Sequence, residues 1–292
     1  MKEKEVILIV DDVASNIQTL AAILKDEYQI KVAISGERAL EIMNQESKLD
    51  LVILDVEMPQ MNGYEVLEKL QEMKLAQNIP VIFVTGNLNP EDEEKGLLLG
   101  AVDYITKPVR PAIVKARIKT HIILKRQRDE LIYIASHDKL TGLYNRHYLA
   151  ELGSQTFASA RRHNDSMSVI MCDVDYFKAI NDNHGHLNGD KVLQAVGSLL
   201  KNNTRTEDFS ARFGGEEFVV VVWRCNAQEA KNKAEKIRKE LSELEIDSIK
   251  VTASFGVVQL SHKHENFEDL LKEADEALYR AKENGRNRVE VF

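Results

Sequence analysis

The sequence predicts an α/β protein of two domains, with a parallel sheet in the first half and a mostly antiparallel sheet in the second. Its 292 residues suggest roughly two domains of ordinary size, each long enough to bury its own core. The first half alternates short apolar runs with amphipathic segments, which is typical of βαβ units. All five prolines lie at or before position 111, so the composition changes there.

Composition and charge exclude several classes of protein. Hydrophobic residues make up 43% and charged residues 29% of the chain, as in water-soluble globular proteins. No apolar run approaches the roughly 20 residues that cross a bilayer, and residues 1–5 lead into a strand without a signal-peptide core, so we expect a cytoplasmic protein with no membrane partner. The formal net charge of −8 argues against nonspecific nucleic-acid binding. Cys172 and Cys225 lack the CxxC spacing of disulfide frameworks or zinc sites, and we expect both to be buried.

Three apolar runs of the first half predict strands that are covered on both faces. These runs, at residues 6–10, 51–54 and 81–84, are nearly continuous and rich in β-branched side chains. Between them, Ile17, Leu20 and Leu24 follow helical spacing. This alternation predicts a parallel sheet, in which functional groups collect at the carboxyl ends of the strands.

Polar residues occupy those strand ends. Asp11 and Asp12 follow the first run, Asp55 ends a later one, Thr85 ends the next, and Lys107 follows a fourth. Three carboxylates, a hydroxyl and an ammonium suit a divalent-metal site that accepts a phosphoryl group, with one acid attacking phosphorus. Helix capping explains Asp12 or Asp55 singly, but it does not explain the whole set.

Residues 4–122 resemble a response-regulator receiver domain, to which we assign residues 1–122. The resemblance is carried by the strand-end residues, by residues 56–63 and by Lys107-Pro108. It implies a (βα)5 doubly wound parallel sheet and a sensor histidine kinase as phosphodonor. It further implies that Asp55 is the phosphorylated residue, that Asp11, Asp12 and Asp55 hold the metal, and that Thr85, Tyr104 and Lys107 are the switch and anchoring residues.

Residues 112–136 predict one continuous connecting helix. Leu124 and Leu131 lie one heptad apart, but the three or four heptads that would predict a coiled coil are absent. An ordinary connecting helix and a dimerising stalk therefore fit this segment equally well.

In the second half, an apolar strand ends at Asp173, a turn is predicted over residues 184–190, and a hairpin passes through Gly214 and Gly215 into Glu216 and Glu217. Glycine accepts positive φ, and adjacent acids repel unless a cation compensates them. A metal and phosphate site and an ordinary hairpin with solvated acids fit these four residues equally well. If the strand before Asp173 pairs with residues 219–223, Asp173 and Glu216 can share Mg²⁺, with Glu217 or a backbone oxygen completing the shell.

The region from about residue 136 to residue 292 resembles a GGDEF domain of the diguanylate cyclase family, which we place at residues 137–292. The signature is Gly214-Gly215-Glu216-Glu217-Phe218, supported by residues 138–146, 173–190 and 281–289. The resemblance implies that each domain binds GTP with Mg²⁺ or Mn²⁺. Two such domains face each other in a homodimer, and two condensations give cyclic di-GMP and two pyrophosphates.

The family pattern assigns roles to individual residues. Glu216 is implied to bind metal and accept a proton, and Lys178 to stabilise the transition state. Asp190 also has the chemistry for guanine, because a carboxylate accepts from N1–H and the amino group. The remaining implied residues are Asp173, the Val174 carbonyl and Glu217 for the metal, and Asn181, His186, Gly214, Gly215, Lys282 and Arg286 for the nucleotide. Glutamate at the third signature position, where aspartate is commoner, bears on the rate and not on the existence of activity.

Arg205-Thr206-Glu207-Asp208 fits an RxxD motif five residues before the glycines. In the family this position implies a site where the product cyclic di-GMP inhibits the enzyme, with a further cation from Lys236 or Arg238. An isolated RxxD is more commonly an exposed ion pair that contributes little.

These features together predict a diguanylate cyclase whose activity is controlled by phosphorylation of Asp55. Two alternatives remain: a catalytically silent nucleotide-sensing GGDEF module under receiver control, and a receiver that is only a constitutive dimerisation scaffold. The intact Asp173, Lys178 and Glu216 set argues against the first.

Overall fold

The computed structural model describes residues 4–45, 48–73, 79–86 and 90–292. The chain divides into two compact units, Met1–Leu131 and Ile132–Phe292. The boundary falls within one helix, Pro111–Ser136, so the connecting helix that the sequence predicts is present. In the described part of the chain, none of the helices is both long enough and apolar enough to cross a membrane.

The first unit is built on a five-stranded parallel sheet, as predicted. The strand order is β2-β1-β3-β4-β5. Its elements are β1 Val6–Val10, α1 Ala14–Leu24, β2 Gln29–Ala33, α2 Gly36–Gln45, β3 Leu51–Asp55, α3 Gly63–Glu72, β4 Val81–Thr85, α4 Pro90–Leu98, β5 Asp103–Thr106 and α5 Pro111–Ser136.

Helices cover both faces of this sheet because successive side chains of a strand point to opposite sides. Ile7 and Ile9 of β1 belong to a core with Leu20 of α1 and Ile118 of α5. Leu8 and Val10 of the same strand belong to a second core that contains residues of α2 and α3. The unit is therefore doubly wound, and the strand ends remain free to carry functional groups.

The second unit is built on a mixed sheet of order β12-β11-β6-β8-β7. All its neighbouring strands are antiparallel except β11 and β12, which are parallel. Its elements after α5 are α6 Arg146–His163, β6 Met167–Val174, α7 Phe177–His184, α8 His186–Asn202, β7 Phe209–Gly214, β8 Glu217–Trp223, α9 Ala227–Glu243, β9 Glu245–Ile246, β10 Ile249–Lys250, β11 Ala253–Gln259, α10 Phe267–Glu283 and β12 Val289–Val291.

Two cores sandwich this sheet. On one face Ile170 and Val220 pack with residues of α8 and α9, and on the other face Val169 and Val221 pack with residues of α6 and α10. Both cysteines are free. Cys172 is buried in the first core, whereas Cys225 is only partly buried, because it lies beyond the end of β8.

The turn that the sequence predicts over residues 184–190 is much shorter in the structure. Helix α7 ends at His184 and α8 begins at His186, so Gly185 alone separates them. Gly185 has φ of +80°, which reverses the chain at one residue because glycine tolerates that region. The prediction was wrong because the turn-forming residues that follow Gly185 lie inside the first turns of α8.

Candidate functional site

The carboxyl ends of β1 and β3 bring two buried acids and a lysine together in the first unit. Lys107 Nζ lies 3.1 Å from Asp11 Oδ2 and 2.9 Å from Asp55 Oδ2. Both carboxylates are almost completely buried. The second oxygen of Asp55, Oδ1, is buried without a hydrogen-bond partner among the described residues. A buried acceptor of this kind requires compensation, and a cation or a phosphoryl group would supply it.

The electrostatics of these groups are coupled. Burial raises the pKa of Asp55, and the nearby Asp11 charge raises it further, while the ammonium of Lys107 opposes both. Burial alone would lower the pKa of Lys107, but its hydrogen bonds to Asp55 and Asp11 and their charges outweigh that effect and raise it. Lys107 thus stays protonated beside the acids.

The same acids fit a divalent cation. Asp11, Asp12 and Asp55 offer carboxylate oxygens that all lie within 4.8 Å of one another. Hard cations such as Mg²⁺ prefer carboxylate oxygens. Elsewhere in the described chain, no three acidic, histidine or cysteine side chains meet that spacing.

Thr85 lies on β4, which pairs with β3, and Tyr104 lies on β5, on the far side of β4. Thr85 is the buried last residue of β4. Tyr104 is buried on β5, with its ring 5.3 Å from that of Phe83. A side chain at Gly96 of α4 would overlap the Tyr104 hydroxyl, so glycine at this position leaves room for the inward tyrosine.

The signature turn of the second unit joins β7 to β8. Gly215 has φ of +49°, and a Cβ added at Gly214 or Gly215 would meet no protein atom within 4 Å. The neighbouring protein therefore does not require small residues here, and the turn borders open space that a ligand could occupy.

An arginine that sequence analysis gave no role fixes this turn. Arg212 donates to the Gly215 carbonyl through Nε at 2.9 Å and Nη2 at 2.7 Å. Its Nη1 lies 3.2 Å from Asp138 Oδ1, and Asp138 also accepts two hydrogen bonds from Thr141. Burial would raise the pKa of Asp138, but the Thr141 hydrogen bonds and the Arg212 charge outweigh it and lower the pKa. The position of Arg212, two residues before Gly214, was the feature of the sequence that could have identified this role.

Strands β6 and β8 pair as the sequence analysis required for a shared site. Asp173 lies opposite Glu217 in the ladder, and the Val174 amide donates to the Glu216 carbonyl at 3.3 Å. The end of β6 and the signature turn are therefore neighbours. Glu216 and Glu217 are half-buried.

Asp173 is buried and is paired with a lysine from α10. Lys282 Nζ lies 2.8 Å from Asp173 Oδ2. Burial raises the pKa of Asp173 to about 6, with Lys282 opposing and the charges of Glu216 and Glu217 contributing to the rise. These oxygen donors fit a hard divalent cation chemically, because its charge would relieve the repulsion among the three acids.

The other predicted nucleotide residues lie on α7 and α8. Asn181 of α7 faces Gly189 of α8, where any side chain would overlap the Asn181 amide oxygen. His186 and Asp190 are exposed on the first turns of α8. Lys178 is exposed on α7, and Lys282, not Lys178, is the lysine in contact with Asp173.

Arg286 lies over an aromatic ring that sequence analysis did not identify. Its guanidinium carbon is 4.6 Å from the centroid of the Tyr176 ring, and Nη1 lies 3.4 Å from the Tyr176 hydroxyl. Tyr176 follows the Asp173-Val174-Asp175 segment directly, which was the signal that could have identified it.

The RxxD segment borders a polar pocket of about 430 Å³. Asp208 does not pair with Arg205 through side chains: its Oδ2 accepts from Lys233 Nζ at 2.6 Å, and its Oδ1 accepts from the Trp223 amide at 3.1 Å. Of the two predicted further cations, Lys236 lines the pocket. Arg238 instead donates to Glu235 and Asn287.

Comparison with known proteins agrees with this architecture. The family model "Diguanylate cyclase, GGDEF domain" matches residues 135–288, and "Response regulator receiver domain" matches residues 7–119. The response regulator PleD of Caulobacter vibrioides is 33% identical over 299 residues, which cover 97% of this chain and 65% of PleD. The chain thus spans slightly less than two thirds of that relative.

Solved structures resemble the second unit. The GGDEF domain of DgcB from Caulobacter crescentus in complex with c-di-GMP is 32% identical with a TM-score of 0.52, covering 54% of this chain and 93% of that one. The active GGEEF domain of a diguanylate cyclase from Vibrio cholerae is 36% identical with a TM-score of 0.50, covering 51% and 97%. With the GGDEF family model matching more than half of its residues, the chain belongs to the diguanylate cyclase GGDEF family and carries a response regulator receiver domain ahead of the GGDEF domain.

Proposed function

We propose that this protein condenses two molecules of GTP into cyclic di-GMP and two pyrophosphates. The observation that carries the proposal is the pairing of β6 with β8, which sets Asp173 beside a GGEEF turn that is open to a ligand. A solved diguanylate cyclase domain with the same GGEEF signature is described as active, which supports activity with glutamate at the third position.

In this reaction each GTP 3′-hydroxyl attacks the α-phosphorus of the other GTP. Two phosphorus–oxygen bonds form, two bonds to pyrophosphate break, and two protons leave the hydroxyls. We assign Glu216 as the acceptor of that proton, because its carboxylate adjoins the turn and lies near Asp173, whose pKa its charge helps to raise. Lys178 and Arg286 offer positive charge for the phosphates, and Asn181 and Asp190 offer polar groups for guanine.

Asp173, the Val174 carbonyl, Glu216 and Glu217 would hold Mg²⁺ in this site, and Asp11, Asp12 and Asp55 would hold it in the receiver. When bound, such an ion neutralises phosphate charge and lowers the pKa of an attacking hydroxyl. Lys282 neutralises Asp173 in the structure, so it can hold the buried carboxylate ionised until the nucleotide arrives and then turn to a phosphate.

The signature turn supplies one half of a site, because each chain offers one nucleotide position and the reaction joins two nucleotides. We therefore propose that the active form is a homodimer. The exposed side chains of Leu124 and Leu131 on α5 support a role for this helix in pairing two chains.

We propose that phosphorylation of Asp55 by a sensor histidine kinase controls this pairing. The buried Asp55 Oδ1, which has no hydrogen-bond partner among the residues that the structure describes, and the adjacent Lys107 ammonium support phosphoryl transfer to this carboxylate. The added charge would act on Thr85 of the adjacent strand β4 and, beyond it, on Tyr104 of β5.

The polar pocket beside the RxxD segment supports product inhibition. Arg205, Lys233 and Lys236 offer cations for the phosphates of cyclic di-GMP. Asp208 Oδ1 accepts one hydrogen bond, from the Trp223 amide, and keeps a further lone pair with which it can accept from guanine. DgcB, a relative of the second unit, was solved with c-di-GMP bound.

Glu216→Gln tests the proposed reaction. Purified protein is incubated with GTP and Mg²⁺, and the products are separated by chromatography. We expect the wild type to form cyclic di-GMP and Glu216→Gln to lose at least about 100-fold in rate, since general-base contributions are typically 10²–10⁴-fold.

Glu243→Gln, at the end of α9 and far along the chain from the turn, is the matched control and should keep wild-type rates. Retained turnover in Glu216→Gln would refute its role. GTP binding without any product in the wild type would favour the silent nucleotide-sensing module.

A further inference from the structure

Asp175 is a buried carboxylate that the proposed chemistry does not use. It follows β6 and is only 4% exposed. Its Oδ1 accepts a hydrogen bond from Ser254 Oγ at 2.7 Å, and its Oδ2 accepts one from Thr252 Oγ1 at 2.8 Å. Buried charge is costly unless hydrogen bonds compensate it. These two hydroxyls are neutral donors, and no cation is among them, so what the buried carboxylate does for the fold needs an explanation.

The third donor to Asp175 comes from a distant loop. The backbone amide of Asn287 donates to Asp175 Oδ2 at 3.0 Å. This loop, residues 284–288, joins α10 to β12 and contains three consecutive residues with positive φ: Gly285 at +109°, Arg286 at +63° and Asn287 at +43°. Residues other than glycine rarely adopt a positive φ, and they keep it only where surrounding contacts hold the backbone in place.

The hydrogen bond from the Asn287 amide to Asp175 lies next to the contact between Arg286 and the Tyr176 ring in the candidate site. Tyr176 directly follows Asp175, and Arg286 directly precedes Asn287. The bond therefore joins the two backbone segments that carry the Arg286 guanidinium and the Tyr176 ring, which lie 4.6 Å apart. Arg238 gives the loop a second anchor, donating to Asn287 Oδ1 at 2.9 Å.

We propose that Asp175 is a positioning residue for nucleotide binding. It holds the 284–288 loop in its left-handed conformation, and thereby holds Arg286 where it meets the triphosphate of GTP. Asp175 itself does not touch the nucleotide. This inference rests on the proposed function, because Arg286 matters for rate only if the second unit binds GTP.

Three variants separate this role from a purely structural one. Asp175→Ala removes every acceptor for the Asn287 amide. Asp175→Asn keeps one: its amide oxygen can accept from Thr252 and Asn287, while the Ser254 hydroxyl turns to accept from the new amide group. Ser254→Ala is the matched control, because it removes one donor to the same carboxylate without touching the loop.

The first measurement is the dissociation constant of a non-hydrolysable GTP analogue with Mg²⁺, by calorimetry on the full chain, together with kcat and KM for GTP. We expect Asp175→Ala to weaken binding and raise KM about tenfold with kcat changed less than threefold. Asp175→Asn and Ser254→Ala should stay within threefold of the wild type. In the background of Arg286→Ala, adding Asp175→Ala should raise the dissociation constant less than twofold further, because both changes remove the same contact.

The second measurement is amide hydrogen exchange of the peptide that contains residues 284–288, which should be faster in Asp175→Ala than in the wild type or Asp175→Asn. Wild-type affinity in Asp175→Ala with unchanged exchange would overturn the proposal, whatever happens to the melting temperature. Full additivity with Arg286→Ala would overturn it as well. A wild type that binds the analogue but forms no cyclic di-GMP would refute the proposed reaction alone, whereas one that binds no GTP would refute both.

Discussion

Asp173 is held in two opposing ways by its surroundings. Its side chain is 9% exposed and the 2.8 Å contact with Lys282 favours the ionised form. Burial and the charges of Glu216 and Glu217 favour the neutral form and prevail, raising the pKa from 3.8 to about 6. The fold therefore holds this carboxylate at a cost in stability near neutral pH, as expected where function sets the environment.

This shift predicts how stability depends on pH without nucleotide or metal. Because the folded state holds the Asp173 proton more tightly than the unfolded state, the contribution to the free energy of unfolding is fully present below about pH 4. It is lost as the pH rises through about 6.

Trp223 is the only tryptophan of the chain, so urea unfolding followed by its fluorescence reports on the second unit. The free energy of unfolding of the wild type, relative to that of Asp173→Asn, should fall between about pH 4 and 6 and level off above pH 6. Affinity for GTP with Mg²⁺ should change in the opposite direction and rise with pH, since metal binding needs the ionised carboxylate. A stability difference that is flat over this range would contradict the assignment.

At the scale of elements, the hydrophobic pattern of the sequence was sufficient to predict the two sheets. The continuous β-branched runs of the first unit are typical of a sheet covered on both faces, and the strand that ends after Asp173 pairs with the strand that follows Glu216, as expected. The sequence predicted less well where one residue changes the course of the chain. Gly185 is the single residue between α7 and α8. The turn-forming residues that follow it in the sequence do not indicate that the next helix has already begun.

Side-chain partners that are distant in sequence could not be predicted either. Lys282 was expected to bind phosphate, and nothing local to it signals a pairing with Asp173. Arg212 likewise joins Asp138, 74 residues earlier, to the Gly215 carbonyl. Such partners depend on how helices and hairpins meet in space, whereas periodicity reports only which face of each element is buried.

The hairpin itself is the subject of the next prediction. Arg212→Ala removes both hydrogen bonds to the Gly215 carbonyl and leaves the half-buried Asp138 without its cation. We expect the second unit to lose about 1.5–3 kcal/mol of stability, the range for hydrogen bonds to charged groups. The cyclase rate should fall at least about tenfold, because the signature turn loses the contact that fixes it.

Urea unfolding and product formation measure the two effects. Arg161→Ala is the control, because Arg161 also donates to backbone carbonyls, those of Ser261 and His262, far from the turn. It should change the rate less than twofold. Equal losses in both variants would show that Arg212 has no special role in the turn.

At the scale of the whole molecule, the two units each hold an incomplete site. In the first, the buried Asp55 Oδ1 has no hydrogen-bond partner within the part of the chain that the structure describes, and Lys107 already bridges two acids. In the second, the proposed reaction needs two nucleotide positions, of which one chain would supply one. Under the proposed function, phosphorylation of Asp55 would control synthesis through the concentration at which two chains meet, without altering any residue of the nucleotide site.

The rate per chain should therefore rise with protein concentration and reach a plateau when most chains are paired. Beryllium fluoride, a mimic of the phosphoryl group, should lower the half-maximal concentration at least about tenfold, or ~1.4 kcal/mol of pairing free energy. The plateau rate should change much less, because the nucleotide site itself is unchanged. Asp55→Ala should abolish the shift, whereas Glu68→Ala, which removes an exposed acid of α3, should keep it. A rate per chain that does not vary with concentration would exclude a site shared between chains, and a beryllium fluoride effect on the plateau alone would locate control after pairing.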